Sequence, residues 1–325
     1  MSEQGQRQEH RIVDNIIDKT IIINSVNRDW FNNISSSPAN FEVQFSASNN
    51  ANIAIIEEYF KNIISIEVPS FVISNTIQDD HYNSNAHIRP SHHPYLLIHL
   101  DEITESSRGT NKHLDTTIGM YTPTTLITES SVNIKNIEFN NLSKQKKIYH
   151  PTPLPSLSDL RITIKDPLGV IIPINDVLQV SGIYVNNEPL LNNDTDALIV
   201  RTGSHFTLNE FQTGDTIIFK NYQYHNMSYT ESYAFNDFIN RDYGHKITQV
   251  GRSLTGTKIY DEIYIQVPIS ISRVNGNSSA DAWFASFMTK TLGDSYIAAL
   301  GGKIINVSKQ SHLVMKLGIK QKQLL

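Results

Sequence analysis

Among the residues able to do chemistry, the sharpest spacing is His113-Leu114-Asp115. An H-x-D pair joined by a distant His leaves three coordination positions open on one face of an iron(II) ion. His150 is the candidate third ligand, and Arg161 falls where a carboxylate-binding Arg would be wanted. The bland reading stands beside it: in a chain with 12 His, one H-x-D triplet arises by chance, and His150 adjoins a Pro-rich loop. The metal assignment from sequence is therefore none, with His113, Asp115 and His150 as the residues to inspect. A second group, His81, His87, His92, His93 and His99 with Asp79 and Asp80, has imidazole and carboxylate together. Its spacing is irregular, which reads as a solvated loop and not as a zinc or nickel site.

Other chemistry finds less support. No G-x-S-x-G elbow is present, and Gly251-Arg252-Ser253 and Gly301-Gly302-Lys303 lack the further glycines and the strand–helix frame of a phosphate loop. Asp261 and Glu262 are adjacent in a run that reads as a strand, so they point to opposite faces and cannot flank one bond. The chain has no cysteine, which removes disulfides, thiolate catalysis and Cys-based metal sites. No catalytic residue and no cofactor are assigned, and the chain is not read as an enzyme.

The elements that must carry these residues are strands. Leu160, Ile162 and Ile164 alternate with Arg161, Thr163 and Lys165, the period of two of a half-buried strand. Asp166-Pro167-Leu168-Gly169 stops it with turn chemistry. Upstream, strands are expected at 20–24, 40–45, 63–74, 95–100, 118–121, 125–127 and 132–139, and one short helix at 51–60. Pro69 places its strand at an edge or a bulge. Arg28-Asp29-Trp30 reads as a corner in which the two ions lock the turn and the indole packs; an aromatic sugar platform is the alternative. Downstream, 176–185, 197–201 and 216–220 make a smaller β module, 234–240 a helical turn, and 259–267 a strand returning to the first sheet. Residues 276–280 read as a link, 281–288 as an apolar run, and 303–319 as two final strands. Short strands with long polar loops argue an all-β sandwich or barrel.

The totals agree. At 325 residues the chain can build two cores, with hydrophobic content of 39% and charged content of 18%. A net charge of −5, with Lys144, Lys146 and Lys147 as the densest basic cluster, disfavours direct binding to nucleic acid. The polar start MSEQGQRQEHR lacks a signal-peptide core, no run approaches a membrane helix, and the absence of cysteine fits a reducing cytoplasm. The expected organisation is an arm at 1–14, a sandwich at 15–173, a small β domain at 174–250, and return strands with a C-terminal segment at 251–325.

The succession NRDW, NFEVQF, FKNIISIEVPSFVIS, YLLIHLDEI and LSDLRITIKDPLGVI resembles the jelly-roll capsid proteins of nucleocytoplasmic large DNA viruses, and more narrowly their minor capsid and penton-type members. DVLQVSGIYV, NEFQTGDTIIFKNY and FNDFINRDYGH resemble the small β module that some of these carry. The segments cover about two thirds of the chain, and the chain lacks the length of a double jelly-roll major capsid protein. The resemblance implies a single jelly roll with a smaller β-barrel-like domain, located in the virion and assembled in host cytoplasm. It implies partners of three kinds: copies of itself around a symmetry axis, the major capsid protein, and other minor capsid proteins. A β-sandwich spike that binds a receptor or glycan is the alternative function, and an Fe(II) oxygenase on a jelly roll the third.

Overall fold

The computed structural model describes residues 12–33, 35–45, 54–56, 59–75, 89–101, 103, 112–115, 117–124, 136–142, 144–185, 197–223, 229–251, 259–266 and 302–324. Strands dominate. In chain order they are β1 (Ile12–Asn24), β2 (Asn40–Gln44), β3 (Ala54–Ile55), β4 (Phe60–Ser74), β5 (Leu96–Leu100), β6 (Thr117–Pro123), β7 (Asn136–Asn141), β8 (Lys147–Ile148), β9 (Leu154–Leu157) and β10 (Asp159–Lys165). The four-residue helix α1 (Lys112–Asp115) precedes β6. Then come β11 (Val177–Val185), β12 (Ala197–Thr207), β13 (Thr216–Lys220), helix α2 (Tyr229–Ile239), β14 (His245–Gly251), β15 (Ile259–Gln266), β16 (Lys303–Asn306) and β17 (His312–Leu324). No helix among the described residues is long and apolar enough to cross a membrane.

The first sheet has eleven strands, and setting aside the short β3, β8 and β9 leaves eight. Their pairing is nested. β1 pairs with β17, β2 with β10, β4 with β7 and β5 with β6, every pair antiparallel. One long hairpin, with β5 and β6 at its tip, has thus been rolled up. The lateral contacts β17–β4 and β5–β10 then give two four-stranded sheets, β1-β17-β4-β7 and β6-β5-β10-β2. This is the pairing of a jelly roll. β6 and β7 join the two sheets along one side through Tyr121↔Asn141 to Pro123↔Phe139.

Alternation explains the packing. In β10, Leu160, Ile162 and Ile164 are fully buried and Arg161 is exposed. They meet Phe41 and Val43 of β2, Leu96, Ile98 and Leu100 of β5, and Phe71, Leu313 and Leu317 from the facing sheet in one core. Phe71 stacks on Phe139 at 5.2 Å and meets Tyr121 edge-on at 5.3 Å, tying β4 to both strands of the seam. Pro69 lies in the central strand β4, at a bulge: the register with β17 slips between Val314↔Ser70 and Lys316↔Glu67. The missing N–H therefore costs no ladder bond.

The second module is a closed barrel, β11-β12-β15-β14-β13-β16, with its own core of Leu178, Val200, Phe206, Phe219, Ile263 and neighbours. Phe235 and Ile239 of α2 belong to that core. In the chain this barrel lies between β10 and β17, that is, between the seventh and eighth strands of the jelly roll.

Three expectations are corrected. Ile12–Asp14 belong to β1 and not to an arm, because Leu324 to Lys322 of β17 supply their ladder partners. The expected helix at 51–60 is replaced by β3, which pairs parallel with β2, and by the start of β4; the edge of β2 satisfies Ala54 and Ile55 better than an isolated turn of helix does. Strand β15 (within 259–267) does not return to the first sheet but sits in the barrel between β12 and β14. The two final strands expected within 303–319 are present as β16 and β17, β16 closing the barrel and β17 completing the jelly roll. The expected strand at 125–127, the link at 276–280 and the apolar run at 281–288 lie outside the described residues.

Candidate functional site

The residues singled out for metal chemistry are placed first. Among the described residues, no three His, Asp or Glu side chains gather in a way that could hold a metal ion. His150 follows β8, which pairs with Ser65 and Ile66 of β4, whereas His113 packs its ring against Gly169 in the turn after β10. Asp115 ends α1. The three candidates are not brought together. His81 and His87, with Asp79 and Asp80, lie outside the described residues.

Of the second histidine group, His93 and His99 lie near the end of β10. His99 faces Thr163 across the β5–β10 ladder and hydrogen-bonds the His113 main chain. Burial, assisted by the Lys165 ammonium, pushes the His99 imidazole below its ordinary pKa. Burial does the same to His93, and the Asp166 carboxylate partly offsets it. Burial thus disfavours the charged form of both rings, and it is His113 that packs against the turn at Gly169. The carboxylate pair separates as its strand setting requires: Glu262 takes Arg201 at 2.7 Å in a half-buried ion pair beside Tyr264.

The densest buried polar chemistry lies where the chain passes between jelly roll and barrel. The turn Ser25–Asn27 after β1, the linker before β11, and the turn Val307–Lys309 before β17 meet there. Arg28 Nη2 donates to both carboxylate oxygens of Asp176, at 2.7 and 2.8 Å, with the side chains 0% and 2% exposed. Arg28 Nη1 donates to Gln310 Oε1 at 2.7 Å and to the Ser25 carbonyl at 2.9 Å. Gln310 Nε2 returns to Asp176 Oδ2 at 2.6 Å and to the Asn306 carbonyl at 2.7 Å. Ser25 Oγ donates to Gln310 and accepts from the Ser311 N–H. Asn306 extends the network into the barrel, donating to Asp215 Oδ2 and to the Glu210 carbonyl, both at 2.8 Å. Burial pushes the Asp176 carboxyl up, and the bidentate guanidinium pulls it back toward the ionised form.

No family model matches the chain, and no curated protein matches it.

The corner motif therefore works differently from its sequence reading. Arg28 does not pair with Asp29. Asp29 instead caps its own turn, accepting from the N–H and Nδ2 of Asn32 at 3.1 Å. Trp30 is 8% exposed, with the Lys220 ammonium 5.9 Å from its ring centre, so most of the indole packs into the corner. Lys303 of β16 donates to the Phe31 carbonyl and lies over the Phe31 ring, a further tie from barrel to corner. The signal missed in sequence was Asp176, an acid at the head of an alternating strand, where a buried partner is required.

Proposed function

We propose that this chain is a structural component of an icosahedral virus capsid, a penton or minor capsid protein that acts through subunit–subunit contacts. The observation that carries the reading is the nested pairing of eight strands with a closed barrel inserted before the last of them. A rolled hairpin buries its strands face to face and leaves loops and inserted modules at its ends to meet neighbours. Shell assembly needs contacts of roughly 1,000 Å² each, repeated around a symmetry axis. A polar junction that fixes the inserted barrel by paired charges suits such repetition, because every copy then presents the same surface. Copies of itself, the major capsid protein and other minor capsid proteins are the partners in this reading, and the virion its location.

The test is the composition of purified particles of the source virus. Quantitative mass spectrometry and antibody-gold labelling should find the chain in fixed ratio to the major capsid protein. Particles that lack it overturn the reading.

A further inference from the structure

Outside the junction, the turn that closes β10 gathers three exposed large apolar side chains among the described residues. Leu168, Val170 and Ile171 are 75%, 59% and 40% exposed, three large apolar side chains within one tight turn. Three apolar side chains grouped in one turn form a small exposed patch of the kind that interfaces use. The turn is also preformed. Asp166 Oδ1 accepts from the N–H groups of Leu168 and Val170, both at 2.9 Å. The Asp166 N–H donates to the Val170 carbonyl at 2.8 Å, and the Gly169 N–H to the Asp166 carbonyl at 3.0 Å. Beneath it the His113 ring packs so closely on Gly169 that a Cβ there would meet Cγ at 2.5 Å. A knob held this way loses little conformational freedom on docking.

Beside the knob is a cleft of about 560 Å³ at the junction, lined by Trp30, Ser36, Ile171, Pro173, Gln179 and Lys303 among others. The linker forming its wall alternates, burying Ile172, Ile174 and Asp176 and turning Ile171, Pro173 and Asn175 outward, and Gln179 of β11 faces outward after it. The charged residues lining it are Asp176, neutralised by Arg28, and Lys303. The cleft thus has an apolar wall that includes Trp30, Ile171 and Pro173, a polar rim of serine and asparagine, and one positive group, while the knob is apolar with one acid, Asp166. Their charges are complementary.

Ile171 belongs to both features, so knob and cleft share one face of the molecule. A projection beside a matching recess makes a surface self-complementary: about a two-fold axis, each copy offers its knob to the other's cleft and every contact is made twice. We infer that the Asp166–Ile171 turn of one copy seats in the junction cleft of a second copy of this chain. Leu168 and Val170 enter the apolar part and Asp166 faces Lys303. The inference rests on the self-association in the capsid reading and goes beyond it in naming the surfaces.

The test is sedimentation of the full chain from about 1 to about 100 µM, with Leu168→Asp/Val170→Asp as the knob variant and Gln179→Trp as the cleft variant. Both change exposed positions, and circular dichroism checks that each folds. Wild type should associate, and either variant should weaken association by about 100-fold or more. An equimolar mixture of the two should associate more tightly than either alone, since one intact knob then faces one intact cleft. A wild-type chain that stays monomeric throughout, a folded variant that associates like wild type, or a mixture no tighter than its components overturns the inference. Loss of the chain from particles with association intact overturns the capsid reading and leaves this one standing.

Discussion

Arg28 and Asp176, 148 residues apart in sequence, form a bidentate ion pair sealed from solvent where jelly roll meets barrel. Each lies on a different crossing segment, and Gln310 on a third bonds to both. A buried pair of this kind repays its desolvation only while both partners and their hydrogen bonds are present.

Removing one partner should therefore be costly. Asp176→Ala should destabilise the chain by about 3–5 kcal/mol, because it leaves a buried guanidinium uncompensated. The double change Arg28→Met/Asp176→Leu should cost much less, since it removes both charges and keeps the volume. Denaturant unfolding of the two proteins decides the matter. Equal losses would mean that the pair matters for packing alone.

The seam of the jelly roll makes a second prediction. Phe71 touches Phe139 and Tyr121, and the Tyr121 hydroxyl donates to the Val68 carbonyl at 2.9 Å, so one side chain gathers β4, β6 and β7. Phe71→Ala should cost about 3–5 kcal/mol. Hydrogen exchange should show lost protection in β4, β6 and β7 while β12 and β15 of the barrel, which have a separate core, keep theirs. Uniform loss across both modules would refute independent cores.

These two cases show what could be read in advance. The burial of Leu160, Ile162 and Ile164 was legible because a period of two states which face is apolar. The same period does not state which sheet a strand joins. Ile263 and Ile265 of β15 alternate as a first-sheet strand would, yet pair with Val200 and Leu198 of the barrel. The nesting was equally hidden, since Asn24↔His312 is a pairing across nearly the whole chain. Arg28 was misread for a related reason: the adjacent Asp29 is held by its own turn, and the true partner arrives only once the chain has folded. Ile55, Ile56, Tyr59 and Phe60 fall on one face of a helix in the sequence, but Tyr59 is 69% exposed and the edge of β2 decided the outcome.

Gly169 separates two causes of glycine dependence. Its φ is +86°, and its missing Cβ makes room for the His113 ring. Gly169→Ala should cost about 1–3 kcal/mol, part from positive φ and part from the clash. Adding His113→Ala removes only the clash, so the double variant should lie below the sum of the single losses. Thermal unfolding of the three variants checks this, and strict additivity would show that the ring does not contact the turn in solution.

His245 gives the pH dependence. It is 1% exposed, between Phe219 at 5.5 Å and Phe238 at 4.8 Å, with Nε2 donating to the Ile239 carbonyl at 3.0 Å and no partner for Nδ1. Burial, with the Arg241 guanidinium adding to it, lowers its pKa to about 4. The unfolded chain therefore binds a proton on this residue near pH 6.5 and the folded chain only near pH 4, so stability falls as pH drops through that window. The contribution is fully present above the unfolded value, and about 3 kcal/mol of it has been lost by the time the folded imidazole protonates. In His245→Phe the His245 part of the slope between about pH 6.5 and 4 should disappear, while the parts from His93, His99, His312 and the carboxylates remain. The difference between wild-type and variant unfolding free energies across this range is the measurement. A difference independent of pH would mean that His245 already carries its proton in the fold, and that the pocket between α2 and β14 admits water.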